Sequence, residues 1–160
     1  MLFRSLEVVV DPNNKILRMS DDLRVTIIAR RGIEQLKEGN YAEAQQQLEA
    51  ALKLDHSNSW VYYNLGVLFF EQRNWAQALD NFSAALTGNL KPSWIEVWAH
   101  IKRGNAYDAQ GNRDRAVAEY KQAVQSGIDY DHAQTAAQKF LAKPFDPKAT
   151  QSAELTTPGQ

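Results

Sequence analysis

The chain has 160 residues, 18 of them basic and 19 acidic, for a formal charge of -1, and it contains no cysteine. That length suffices for one domain with a sizeable core. The balance of charge speaks against a broad nucleic-acid-binding field, and the lack of thiols excludes disulfides, cysteine nucleophiles and cysteine-based zinc sites.

Residues 1–19 form an N-terminal extension. Leu6–Val10 and Lys15–Leu17 have strand character around the Asp11-Pro12-Asn13-Asn14 turn, so a short hairpin or a loose arm is expected there. Arg4 and Glu7 break the only apolar start, which makes a poor signal sequence. No run reaches the 18 or so apolar residues of a membrane span, so membrane insertion is not expected and the cytoplasm is the default location.

From Ser20 the pattern turns helical, and residues 20–143 read as one domain. Ser20-Asp21-Asp22 supplies a cap and two carboxylates for a helix running to about Lys37. Gly39-Asn40 turns the chain into a second helix, Tyr41 to Leu54. Asp55-His56-Ser57-Asn58 closes this first hairpin. The layout recurs at Trp60–Gln72 and Trp75–Thr87, ending at Gly88-Asn89. Ser93 with Glu96 reads as a capping box for a helix from Trp94 to Ala109, and Arg113–Ser126 follows after Gly111-Asn112. Asp129 or Asp131 caps a last amphipathic helix over about 132–142, stopped by Lys143-Pro144. Residues 144–160, rich in Pro, Thr, Ser and Gln, read as a flexible tail.

Three units therefore align, at 25–58, 59–92 and 97–130. Their first helices carry Ile28-Arg31-Gly32-Gln35, Tyr62-Leu65-Gly66-Phe69 and His100-Arg103-Gly104-Tyr107 at matched spacing. Their second helices carry Ala44-Leu48-Ala51, Ala78-Phe82-Ala85 and Ala116-Tyr120-Ala123. A glycine inside a helix costs about 1 kcal/mol against alanine. Three at one register therefore signal a shared need for close backbone approach.

Period, layout and signature together resemble the tetratricopeptide repeat (TPR) family. The resemblance implies an all-α, right-handed superhelix of three helix-turn-helix units closed by a C-terminal capping helix. It also implies a concave groove, lined by first helices, that binds another protein. The positions this points to are Arg30, Ile33 and Lys37 in the first unit and Trp60, Tyr63, Asn64, Val67 and Phe70 in the second. The third unit adds Trp98, Ile101, Lys102, Asn105 and Asp108. Chaperone-binding members hold a C-terminal carboxylate with Lys, Asn, Asn, Lys and Arg. The matching positions here are Ala29, Ile33, Asn64, Trp98 and Lys102, one identity and one conservative change, which does not make that clamp.

Chemistry is not expected. His56, His100 and His132 stand in no ligand spacing, and no nucleophile, phosphate-loop or metal motif occurs. No catalytic residue, metal or cofactor is expected, and no nucleic-acid partner. The expected role is a non-catalytic protein-interaction module taking a peptide or helix of a partner. The alternative is homo-oligomeric self-assembly through exposed aromatics and the N-terminal segment.

Overall fold

The structure, a computed structural model, describes residues 21–148. The N-terminal extension and most of the tail lie outside these residues. Among the described residues seven helices follow one another: α1 (Asp21–Lys37), α2 (Tyr41–Leu54), α3 (Ser59–Glu71), α4 (Trp75–Thr87), α5 (Trp94–Ala109), α6 (Arg113–Gln125) and α7 (Ala133–Ala142). No described residue is in a strand, and no described helix is long and apolar enough to cross a membrane.

Helices α1/α2, α3/α4 and α5/α6 form hairpins. Each hairpin stacks on the next through α2 on α3 and α4 on α5. Helices α1, α3, α5 and α7 touch in sequence, forming an inner row, while α2, α4 and α6 back them. This is the expected all-α superhelix, and α7 closes its C-terminal end against α5 and α6.

The repeated glycines explain the hairpins. A Cβ on Gly66 would stand 2.5 Å from two atoms of the Phe82 ring, and one on Gly104 would run into the Tyr120 ring. On Gly32 it would come within 2.9 Å of Leu48 Cγ. Each glycine thus admits the large residue of its own second helix, and Leu48, Phe82 and Tyr120 are all fully buried. Ala44, Ala78 and Ala116 are fully buried beside them.

Helix ends follow local chemistry. Asn58 Oδ1 accepts from the Val61 backbone N–H at 3.1 Å, and Asn74 Oδ1 from that of Gln77 at 3.3 Å. Of the two aspartates weighed for the last helix, Asp129 does the work, accepting from the Gln134 N–H at 3.1 Å. The capping box at Ser93 does not form. Ser93 sits in the helical region and makes no side-chain cap, and its carbonyl accepts from the Glu96 N–H instead. The turn before it is held elsewhere. Ser59 Oγ accepts from the Leu90 N–H at 2.8 Å, and the Ser57 carbonyl from the Asn89 N–H at 2.8 Å. Asn89 and Leu90 thus fold back on the α2–α3 corner, whereas Trp94, Ile95 and Glu96, three of the four residues that displace the third unit, form the first turn of α5.

The chain does not leave the fold at Pro144. Phe145 returns to the inner row, where its ring lies 5.7 Å from that of Phe70 and 5.8 Å from that of Phe140. A tail free from residue 144 is therefore corrected for its first residues: Phe145 is held because its ring finds apolar surface on α3 and α7.

Candidate functional site

Two concavities open on the inner row. One, of about 250 Å³, is walled by Tyr63, Trp94, Trp98 and Tyr130, with Lys102 and Asp131 supplying charge. The second, of about 390 Å³, lies between the C-terminal halves of α1 and α3, lined by Ile33, Leu36, Lys37, Gly39, Tyr41, Asn64, Val67 and Glu71.

The aromatic concavity is built by helix register and loop geometry together. Tyr63 meets Trp94 edge to face at 5.2 Å between centroids, and Trp94 stacks on Tyr130 at 5.5 Å. Trp98 Nε1–H donates to the Tyr130 carbonyl at 3.0 Å, which ties the α6–α7 loop to α5. Aromatic pairs so arranged contribute about 0.5–1.5 kcal/mol beyond area burial, which keeps the wall ordered without a ligand.

Lys102 projects over the Phe70 ring, with Nζ 5.2 Å from its centroid. Burial pulls its ammonium below the ordinary lysine range, and the Glu71 carboxylate offsets part of that. No ion pair holds it among the described residues. Burial likewise raises the Tyr63 phenol well above its ordinary value. Asn64, 9% exposed, gives one amide N–H to the Trp60 carbonyl at 2.7 Å.

The thirteen positions named from sequence separate into three groups. Ile33, Lys37, Asn64 and Val67 line the larger concavity; Tyr63, Trp98 and Lys102 line the aromatic one. Arg30 is exposed on α1 and lines neither. The remaining five are taken up by the fold itself. Trp60 packs against Ala85, Ile95 and Ala99. Ile101 is fully buried with Val97, Ala123, Ala133 and Ala137, so it supports the row from beneath and offers a ligand nothing. Phe70 is covered by Trp75 and Phe145.

Asn105 and Asp108 belong to an internal network. The Asp108 side chain is 1% exposed and accepts from Arg113 at 2.9 Å. It also takes the Tyr120 hydroxyl and the Phe145 backbone N–H, each at 2.9 Å. Asn105 Oδ1 lies 2.9 Å from the same hydroxyl. Burial, then the Asp108 hydrogen bond and charge, push the Tyr120 phenol far above its ordinary value. Arg113 also donates to the Phe140 and Leu141 carbonyls at 2.8 Å, satisfying the end of α7.

Trp94, Tyr130 and Asp131 were missed because they sit at unit edges, outside the first-helix register that carries the resemblance. The exposed Tyr130 was the available signal, an aromatic between two aspartates in a loop. His100 is structural. Its Nδ1 lies 2.8 Å from Glu119, which also pairs with Arg103 at 3.0 Å. Among the described residues no three His, Asp or Glu side chains stand together as a metal site.

Fold and site define a helical-repeat protein with an open inner groove. Models of the tetratricopeptide repeat match residues 60–87 and 99–126, and a TPR repeat model matches residues 34–73; together they span more than half of the chain. The chain belongs to the tetratricopeptide repeat family. Among curated relatives, the Protein SGT1 homolog of Bos taurus is 29% identical over 103 residues, 64% of this chain. The chain spans only 29% of that protein's length. The Photosystem I assembly protein Ycf3 of Synechococcus sp. (strain CC9311) is 28% identical over 128 residues, 76% of this chain and 74% of its own length. Among solved structures, the N-terminal domain of stress-induced protein-1 (STI-1) from C. elegans superposes with a TM-score of 0.65 at 19% identity, covering 79% of this chain and 100% of that one. The first TPR of Spaghetti (RPAP3), bound to the HSP90 peptide SRMEEVD, gives 0.63 at 19% identity over 81% and 93%.

Proposed function

We propose that this chain is a non-catalytic protein-interaction module that takes a peptide or helix of a partner protein along its inner groove. The observation that carries the reading is the aromatic concavity with Lys102 inside it, a cation lacking an ion-pair partner among the described residues. Apolar walls with a few polar groups suit a side chain flanked by polar backbone. A half-buried aromatic anchor such as Trp98 is the residue type that dominates interface energetics. The first TPR of RPAP3, bound to a peptide, supports peptide binding as a mode open to this fold. The partner is a different one, because Ala29, Ile33 and Trp98 replace three of the five groups that clamp a terminal carboxylate.

A peptide library displayed on phage tests this with wild type, Trp98→Ala and Lys102→Glu. Selected sequences should bind wild type at micromolar strength and both variants about tenfold more weakly, while circular dichroism shows all three folded. Failure to enrich any sequence, or equal binding by the three proteins, refutes it.

A further inference from the structure

The segment after α7 sits where a ligand would. Lys143 is extended, with φ -139 and ψ 128, and the chain then carries Phe145 across the C-terminal end of α5 to α3. It makes contacts a bound peptide would make: one aromatic ring between Phe70 and Phe140, and one backbone N–H on the Asp108 carboxylate. Pro144 and Asp146 on either side are exposed. The seat does not depend on this segment. Arg113 and Tyr120 fix Asp108 independently, and Trp75 holds Phe70 edge to face at 5.1 Å.

We infer that residues 143–148 are an intramolecular ligand. They occupy an aromatic subsite of the groove that would otherwise take an extended partner segment bearing a large aromatic side chain. The partner's ring would lie on Phe70, and its backbone N–H would replace that of Phe145 on Asp108. The inference rests on the groove reading, and it adds the chemistry of one anchor and a built-in competitor. A short tether presents its own ring at millimolar effective concentration, so a partner must outcompete it or bind when it lifts. Phe70 and Asp108, covered while the strap is down, then return in part to the groove: the Phe70 face opens and one acceptor position on Asp108 is freed.

The test uses the full chain as wild type and Phe145→Ala. The probe is a synthetic peptide of residues 142–148, with a second peptide carrying Ala in place of the Phe. Binding is followed by NMR at the Trp75 indole, which adjoins the seat. The first peptide should bind Phe145→Ala at least about tenfold more tightly than wild type, and the second should bind neither. Equal binding to both proteins, or no binding to a folded Phe145→Ala, overturns the inference. So does an unfolded Phe145→Ala, which would make the strap part of the core. In wild type, the Phe145 amide should exchange with solvent faster than the buried amides of α5; exchange only with global unfolding also overturns it. The outcome is separable from the groove reading. Library peptides lost on Trp98→Ala bear on the groove, whereas strap peptide read at Trp75 bears on this seat.

Discussion

Replacing Gly66 with alanine should destabilise the array, although the same change in an open helix would stabilise it. Helix propensity alone favours the variant by about 1 kcal/mol. Against this, the new Cβ would lie 2.5 Å from Phe82 Cδ1 and Cε1 and 3.0 Å from Cγ. Carbon pairs rest at about 3.5–4.0 Å, so the ring must retreat by about 1 Å. Phe82 is fully buried, and the Tyr63 ring stands 5.7 Å away, so little room exists for that retreat. Overpacking costs about 1–3 kcal/mol, and an immobile ring places this case at the upper end. The net loss is about 2 kcal/mol. Gly32→Ala is the internal control. Its closest approach is 2.9 Å to Leu48 Cγ, with the Ala44 carbonyl oxygen and Gln47 Cβ at 3.2 Å, so it should also lose stability, by about 1 kcal/mol less than Gly66→Ala. Urea titration followed by far-UV circular dichroism measures both, with a shared m-value as the check on cooperativity. Phe82→Leu in the Gly66→Ala background should recover part of the loss, giving a coupling of about 1 kcal/mol in a double-mutant cycle. A Gly66→Ala protein as stable as wild type would refute the argument from close approach.

Other perturbations act on the internal network. Arg113→Ala removes the charge opposite the almost fully buried Asp108 and uncaps the Phe140 and Leu141 carbonyls, which should cost about 3 kcal/mol. Hydrogen exchange should show α7 losing protection first; uniform loss across all helices would count against this placement. Raising pH should destabilise the protein from about pH 10 upward. The Tyr63 and Tyr120 phenols hold their protons to higher pH in the folded state than in the unfolded chain. Folding thus binds more protons there, and stability falls as pH rises; Tyr120→Phe should flatten that fall in unfolding midpoints recorded across alkaline pH. Lys102→Met should raise the unfolding midpoint at neutral pH slightly, a gain in stability of less than about 1 kcal/mol. Burial disfavours the ammonium, but its half-buried position leaves much of the charge screened. A lowered midpoint would show instead that the ammonium over Phe70 stabilises the fold.

Sequence alone determined the helices and their pairing. Gly32, Gly66 and Gly104 with their facing large residues state a contact within a single hairpin, and caps and turns act over three or four residues. Such short-range requirements are written in spacing, and α1 to α7 fall within a residue or so of the expected bounds. Only the tertiary structure decided which inner-row residues the fold itself consumes. Asp108 shares its register with groove positions yet is consumed by Arg113, Tyr120 and Phe145, the last thirty-seven residues away in the chain. Tyr130 and Trp94 join Tyr63 and Trp98 in one wall from different units. Exposure depends on what every other segment covers, including the chain's own strap at Phe145, and no periodicity within one unit encodes that.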